Sequence, residues 1–247
     1  MVIRALLFDI NGTLIDILTN EWHDDIYRTL SNLLSYQGIA LGPNAVKDAY
    51  AQIMKEQKAA SEEHHPEFDV VGIFREIITR HATGFTHCLP PEKLEQLPLF
   101  LAETHRAASR FRLQLYKGVA ETIAQLLPKY RLAIVSDGQS AYAVPELNAV
   151  GLLDFFDPVI ISGDFGIRKP DQRLFENALA IMRLEPSEVL FVGNDMYRDV
   201  YGARKLGMKT VFFRSNQGQQ EKEGVEPDYI IYTFPELLSA LRFFEEQ

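Results

Sequence analysis

The chain has 247 residues, of which 47% are hydrophobic and 24% charged, enough for one large domain or for a core with an insert. Its net charge of −9 and pI near 5.2 argue against a general nucleic-acid binder, because such a surface repels a phosphate polymer unless it carries a concentrated basic face, and none is visible. A single cysteine, Cys88, excludes an internal disulfide and fits a reducing compartment. The segment MVIRALLFD lacks the cationic and apolar regions of a signal peptide, and no apolar run reaches the length of a bilayer span, so the expected location is the cytoplasm.

In chain order, Ile3, Leu6, Leu7 and Phe8 form a short apolar run that stops at Asp9, where Gly12 and Thr13 follow. This pattern predicts a buried strand with a carboxylate at its C-terminal tip, the edge at which open α/β sheets bind ligands. Gly12 lets backbone amides approach an anion there.

Beyond Asp16 the periodicity turns helical for about a hundred residues. Trp22, Ile26, Leu30, Leu33 and Leu34 keep helical spacing, as do Val46, Ala49, Tyr50, Ile53 and Met54, then Val71, Phe74, Ile77 and Ile78, and finally Leu94, Leu97 and Leu101. No strand interrupts the stretch, so it reads as an all-helical insert over 16–113. Its segment His64 to Asp69 holds two imidazoles and two carboxylates, but adjacent histidines in a loop broken by proline do not converge on one ion, and a solvated loop is expected.

From Leu115 strands and helices alternate. The expected strands are Arg131 to Ser136, Val159 to Ser162, Val189 to Val192, Thr210 to Phe213 and Tyr229 to Ile231. Helices lie between them, including one expected to start with Pro170 at its first position and one running from the GND turn to Leu206. Alternation of this kind means right-handed βαβ units and a parallel sheet, an α/β core of Rossmann-like type formed by residues 1–15 and 114–247. The polar loop Asn216 to Pro227 reads as a mobile surface connection.

Four strand ends carry polar groups: Asp9, Ser136, Lys169, and the trio Asn194, Asp195 and Asp199. On a parallel sheet they meet at one carboxyl edge. A carboxylate nucleophile, a hydroxyl, an ammonium and a second acidic loop suit phosphoryl transfer with Mg²⁺, which takes one or two carboxylates together with phosphate oxygens.

These residues resemble the four motifs of the haloacid dehalogenase superfamily. The first, D-x-D-G-T, is matched by DINGT at 9–13, and the second, a Ser or Thr after a strand, by Ser136 in IVSDG. The third, a Lys before Pro-Asp, is matched by Lys169, and the fourth, G-D-x-x-x-x-D, by GNDMYRD at 193–199. The helical insert is similar to the α-helical cap of the family. The resemblance implies that Asp9 becomes an aspartyl phosphate and also binds Mg²⁺, with the Asn11 carbonyl and Asn194 or Asp195 as further ligands. Ser136 and Lys169 would hold the phosphoryl oxygens, beside Gly12, Thr13, Asp137 and Gly138, and Asp199 would position Lys169 or a metal-bound water. The implied substrate is a small phosphorylated metabolite, and the expected state is a monomer or homodimer with no nucleic-acid or membrane partner.

Two positions depart from the pattern. Asn11 stands where the family has its general acid, and an amide does not exchange a proton in that way, so a slow phosphohydrolase is expected. Asn194 replaces a metal-binding Asp, so weak Mg²⁺ binding is expected. The rival readings are a metal-free 2-haloacid dehalogenase and a catalytically reduced member that binds a metabolite or partner. Trp22, His23 and Arg75 are candidate substrate contacts in the insert, whereas Arg168, Arg173 and Arg198 read as surface charges at helix starts.

Overall fold

The computed structural model describes residues 2–246. The described residues fall into two compact units, one of residues 2–17 and 113–246 and the other of residues 18–112.

The first unit is an α/β domain around six parallel strands in the order β5-β4-β1-β6-β7-β8. These are β1 (Ala5–Phe8), β4 (Arg131–Ser136), β5 (Val159–Ile161), β6 (Val189–Gly193), β7 (Lys209–Phe213) and β8 (Tyr229–Ile231). β1 is central and wholly buried, which explains its unbroken apolar sequence: a strand covered on both faces has no polar side. Its alternate residues serve two cores. Leu6 and Phe8 join Ile134, Leu190 and Val192 beneath α6 (Val119–Leu126), α7 (Ser140–Ala149) and α10 (Leu237–Glu245). Ala5 and Leu7 join Ala133, Val135 and Phe191 against α8 (Gln172–Met182) and Ala203 of the short α9 (Gly202–Lys205). In-register pairing of Phe8 with Ile134 and with Val192 brings the ends of β4, β1 and β6 level. Asp9, Ser136 and Asn194 leave those ends side by side.

The second unit contains α1 (Asp24–Ser35), α2 (Pro43–Ala60), α3 (Val70–His81), the one-turn α4 (Gly84–His87) and α5 (Pro91–Ser109). Its centre is aromatic. Tyr50 and His105 each lie within ring contact of Tyr27 and Phe74, and the His105 ring stacks on Tyr50 at 4.8 Å and 19°. Trp22 packs on the rim of this cluster, 6.0 Å from Tyr50. His23 caps α1 by accepting from the Asp25 amide, and Arg75 lines a cleft of about 390 Å³ with Glu95 and Thr79. The segment from His64 to Asp69 is irregular, and among the described residues no three His, Cys, Asp or Glu side chains are grouped to hold a metal ion.

Several expectations about local structure need correction. The insert is not wholly helical at its ends: β2 (Ile15–Thr19) and β3 (Arg110–Leu115) pair as a two-stranded sheet. Their sequences IDILT and RFRLQL alternate apolar and polar residues only briefly, too short a run to stand out beside long helices. Pro170 is not the first residue of α8. Asp171 takes the cap by accepting from the Arg173 amide at 3.0 Å, so the helix starts at Gln172. The helix expected to reach Leu206 opens as a π-helical turn, Met196–Tyr201, before α9.

Candidate active site at the strand tips

Asp9 follows β1 and is buried, with the Lys169 ammonium 2.7 Å and the Ser136 hydroxyl 2.8 Å from its Oδ1. Lys169 is only 3% exposed. All three of its protons are engaged, by Asp9 Oδ1, by Asp199 Oδ1 at 2.6 Å and by the Val135 carbonyl at 3.1 Å. Burial, the largest influence on this amine, favours its neutral form, but the combined field of Asp199, Asp9 and Asp137 outweighs it and holds the ammonium above its usual range. The cation is therefore permanent at neutral pH. Burial pushes the Asp199 carboxyl up, opposed by Lys169 and reinforced by Asp9, as expected where two carboxylates share one ammonium.

The backbone of the site is held as firmly as its side chains. Asp199 Oδ2 accepts from the amides of Asn194 at 3.0 Å and Asp195 at 2.9 Å, closing the turn after β6. Asp137 Oδ1 accepts from the Lys169 amide at 2.8 Å, which ties the β4 turn to the base of the lysine. Gly138 is bonded instead to Ser162, through both its amide and its carbonyl.

Thr13 donates to Asn194 Oδ1 at 2.9 Å and lies 3.5 Å from Asp9 Oδ2. Gly12, at φ +86°, approaches Asn194 so closely that a Cβ there would fall 2.2 Å from its Nδ2. Only glycine meets both the backbone angle and the space. Asn11 is in the same turn, and its Oδ1 is buried without a hydrogen-bond partner among the described residues. A buried acceptor left open in this way is costly, and it marks a position suited to a polar group from outside the chain.

Asp195 is engaged on every side. Its Oδ1 accepts from the amides of Tyr197 and Arg198, and its Oδ2 from the Arg198 guanidinium at 2.8 and 2.9 Å and from the Gln219 amide at 3.0 Å. Burial favours the protonated carboxyl, but the Arg198 side chain and these amides outweigh it and hold Asp195 below the usual carboxylate range. Its geometry is that of a cap for the π-turn.

Two features of this edge differ from what the sequence predicts. Arg198 is not a free surface charge: besides binding Asp195 it lies 3.7 Å from Asp137, whose Oδ2 also has Arg168 at 3.6 Å. The spacing of three between Asp195 and Arg198 on one turn was the available signal. Arg173 does pair on the surface, with Asp171. The loop Asn216 to Pro227 is also more than a surface connection. Gln217 donates to Asp16 Oδ1 at 3.2 Å and to the Ile17 carbonyl at 3.0 Å, and Met196 donates to the Gln219 carbonyl at 2.8 Å. Polar side chains around Gly218 carry no mark of these long-range partners.

The model of the haloacid dehalogenase-like hydrolase family matches residues 3–207. The chain is 25% identical over 254 residues to a glyceraldehyde 3-phosphate phosphatase of Pyrococcus furiosus, covering 97% of this chain and 93% of that protein. It is 27% identical over 244 residues to pyrophosphatase PpaX of Halalkalibacterium halodurans, covering 98% of each. A 2-haloacid dehalogenase from Pseudomonas syringae pv. Tomato superposes with a TM-score of 0.71 over 98% of this chain and all of that one, at 18% identity, a likeness of fold. With the strand order and the insert of helices described above, these findings assign the chain to the haloacid dehalogenase-like hydrolase family, as a phosphatase-like hydrolase with a Rossmann-like core and a helical insert.

Proposed function

We propose that this protein is a Mg²⁺-dependent phosphohydrolase that cleaves a small phosphorylated metabolite through an aspartyl phosphate on Asp9. The observation that carries the reading is the shared geometry of Asp9 Oδ1, with the Ser136 hydroxyl and a permanently charged Lys169 both bonded to it. Phosphoryl transfer depends on positioning and on neutralising the oxygens of the transferring group, and these two donors supply both needs at one point. Asp9 forms the new O–P bond as the bond to the leaving oxygen breaks. Water then hydrolyses the acyl phosphate and returns the carboxylate. The relatives named for glyceraldehyde 3-phosphate and for pyrophosphate support a small phosphate ester or anhydride as the substrate class.

The donor set fits a hard divalent cation, since it consists of oxygens alone: the Asp9 carboxylate, the Asn11 backbone carbonyl and Asn194 Oδ1, which already accepts from Thr13. Asp195 is a poor candidate because both its oxygens are occupied. A bound Mg²⁺ would neutralise phosphate charge. With one formal negative charge among the three donors, its affinity is expected to be weak.

Asn11 is the unusual element. Lacking an exchangeable acid, it cannot protonate a leaving alkoxide, so good leaving groups such as acyl or aryl phosphates are the expected preference. Turnover of p-nitrophenyl phosphate by the wild type and Asp9→Asn, with and without Mg²⁺, tests the reading. Release that requires Mg²⁺ and is lost in the variant is the expected result. Chloride release from 2-chloropropionate without metal would assign a dehalogenase instead, and neither activity would leave a catalytically reduced binding protein.

A further inference from the structure

The π-turn that carries Arg198 and Asp199 also bears a quite different set of side chains. Met196 and Val200 pack inward with Phe212. Tyr197 and Tyr201, one turn apart, stack on each other at 5.6 Å with their planes 13° apart. The Lys222 ammonium lies 5.3 Å from the Tyr197 ring centre and the Lys205 ammonium 5.6 Å from that of Tyr201. With Arg204, these residues line an open surface cup of about 540 Å³.

The charges of this cup are what single it out in an acidic protein of net charge −9. Its lining holds three cations against one carboxylate, Glu223. Arg204 is committed to Asp228 at 3.1 Å, but Lys205 and Lys222 have no carboxylate partner among the described residues. Each is instead held over a ring, which orders a flexible ammonium without neutralising it. Because the two ammoniums are anchored on different rings, the positive charge is spread across the cup. A chain of phosphates offers each of these separately anchored ammoniums a charged group of its own.

We propose that this cup, formed by Tyr197, Tyr201, Lys205 and Lys222, is a second binding site of the protein, taking the phosphate chain of a di- or triphosphate compound. It is separate from the strand-tip site and shares the π-turn with it. The assignment does not depend on the reaction proposed at Asp9, and its test reads binding rather than turnover.

Isothermal titration of the full chain with inorganic tripolyphosphate, without added metal, is the test, with ATP as a second titrant to ask whether a nucleoside contributes. A saturable event at the cup is expected, separated from any binding at the strand tips by the double variant Lys205→Glu/Lys222→Glu, which should weaken it by about tenfold or more, and tripolyphosphate and ATP should bind there about equally. That variant should keep the far-ultraviolet circular dichroism and the cooperative unfolding of the wild type, which shows that it folds. Equal binding by the wild type and the double variant would put the anion elsewhere and overturn the proposal. No binding at millimolar tripolyphosphate would overturn it as well, and ATP bound far more tightly than tripolyphosphate would overturn the assignment to the phosphate chain.

Discussion

At Asn11 and Asp195 the surroundings of a single residue bear directly on the proposed chemistry. Asn11 keeps the backbone of its turn but replaces a proton-exchanging group, and its buried Oδ1 has no partner among the described residues. Asn11→Asp should therefore raise kcat for an alkyl phosphate by about 10²-fold or more, the usual worth of general acid–base catalysis, and much less for p-nitrophenyl phosphate. Unchanged kcat for both substrates would mean that proton transfer is not what limits this site. Asp195, adjacent to a metal-binding position of the motif, spends both oxygens on the π-turn and on Arg198. Asp195→Asn should destabilise the fold by about 1–3 kcal/mol through the lost charged cap, while Mg²⁺ affinity measured by calorimetry changes little. A large fall in Mg²⁺ affinity at unchanged stability would restore Asp195 as a ligand.

At the scale of elements, the strand-tip edge is closed by the loop after β7 as well as by the four motif loops. Gly218 sits at φ +78°, and a Cβ there would fall 2.4 Å from the Asn194 carbonyl oxygen, a backbone atom with no room to yield. Gly224, in the same loop at φ +73°, has nothing within 4 Å of such a Cβ. Both substitutions to Ala incur the backbone strain of about 1–3 kcal/mol, but only Gly218→Ala should displace Asn194. The expected outcome is a larger loss of thermal stability in Gly218→Ala, which adds a backbone clash to the strain that Gly224→Ala also carries, with kcat/KM reduced in Gly218→Ala alone. Equal kcat/KM in both would separate this loop from the site. None of this could be read beforehand, because a glycine between glutamines looks the same whether it faces solvent or a neighbouring carbonyl.

At the scale of the whole molecule, the helical unit has a pH sensitivity of its own. Burial in the aromatic cluster, opposed by a smaller hydrogen bond to the Glu21 backbone, brings His105 from its ordinary 6.5 down to about 4. The folded chain thus keeps this imidazole neutral where the unfolded chain protonates it, so stability falls as pH drops from 6.5 towards 4. Between pH 6.5 and 5 the loss should be about 1.5 kcal/mol, and His105→Phe or His105→Gln should remove that part of the slope in urea unfolding. An unchanged slope in both variants would show that His105 is not its source. The sequence by itself determined the parallel α/β core, the helical insert and the meeting of Asp9, Ser136, Lys169 and Asp199, because buried strands and amphipathic helices write their periods locally and strand ends share one edge. Only the tertiary structure decided how Asp195 and Arg198 pair, why Gly218 approaches Asn194, and where Lys205 and Lys222 stand without a carboxylate partner among the described residues. Those outcomes depend on contacts between loops distant in sequence, and neither hydrophobic period nor residue type records which polar partner a loop finds once the chain has packed.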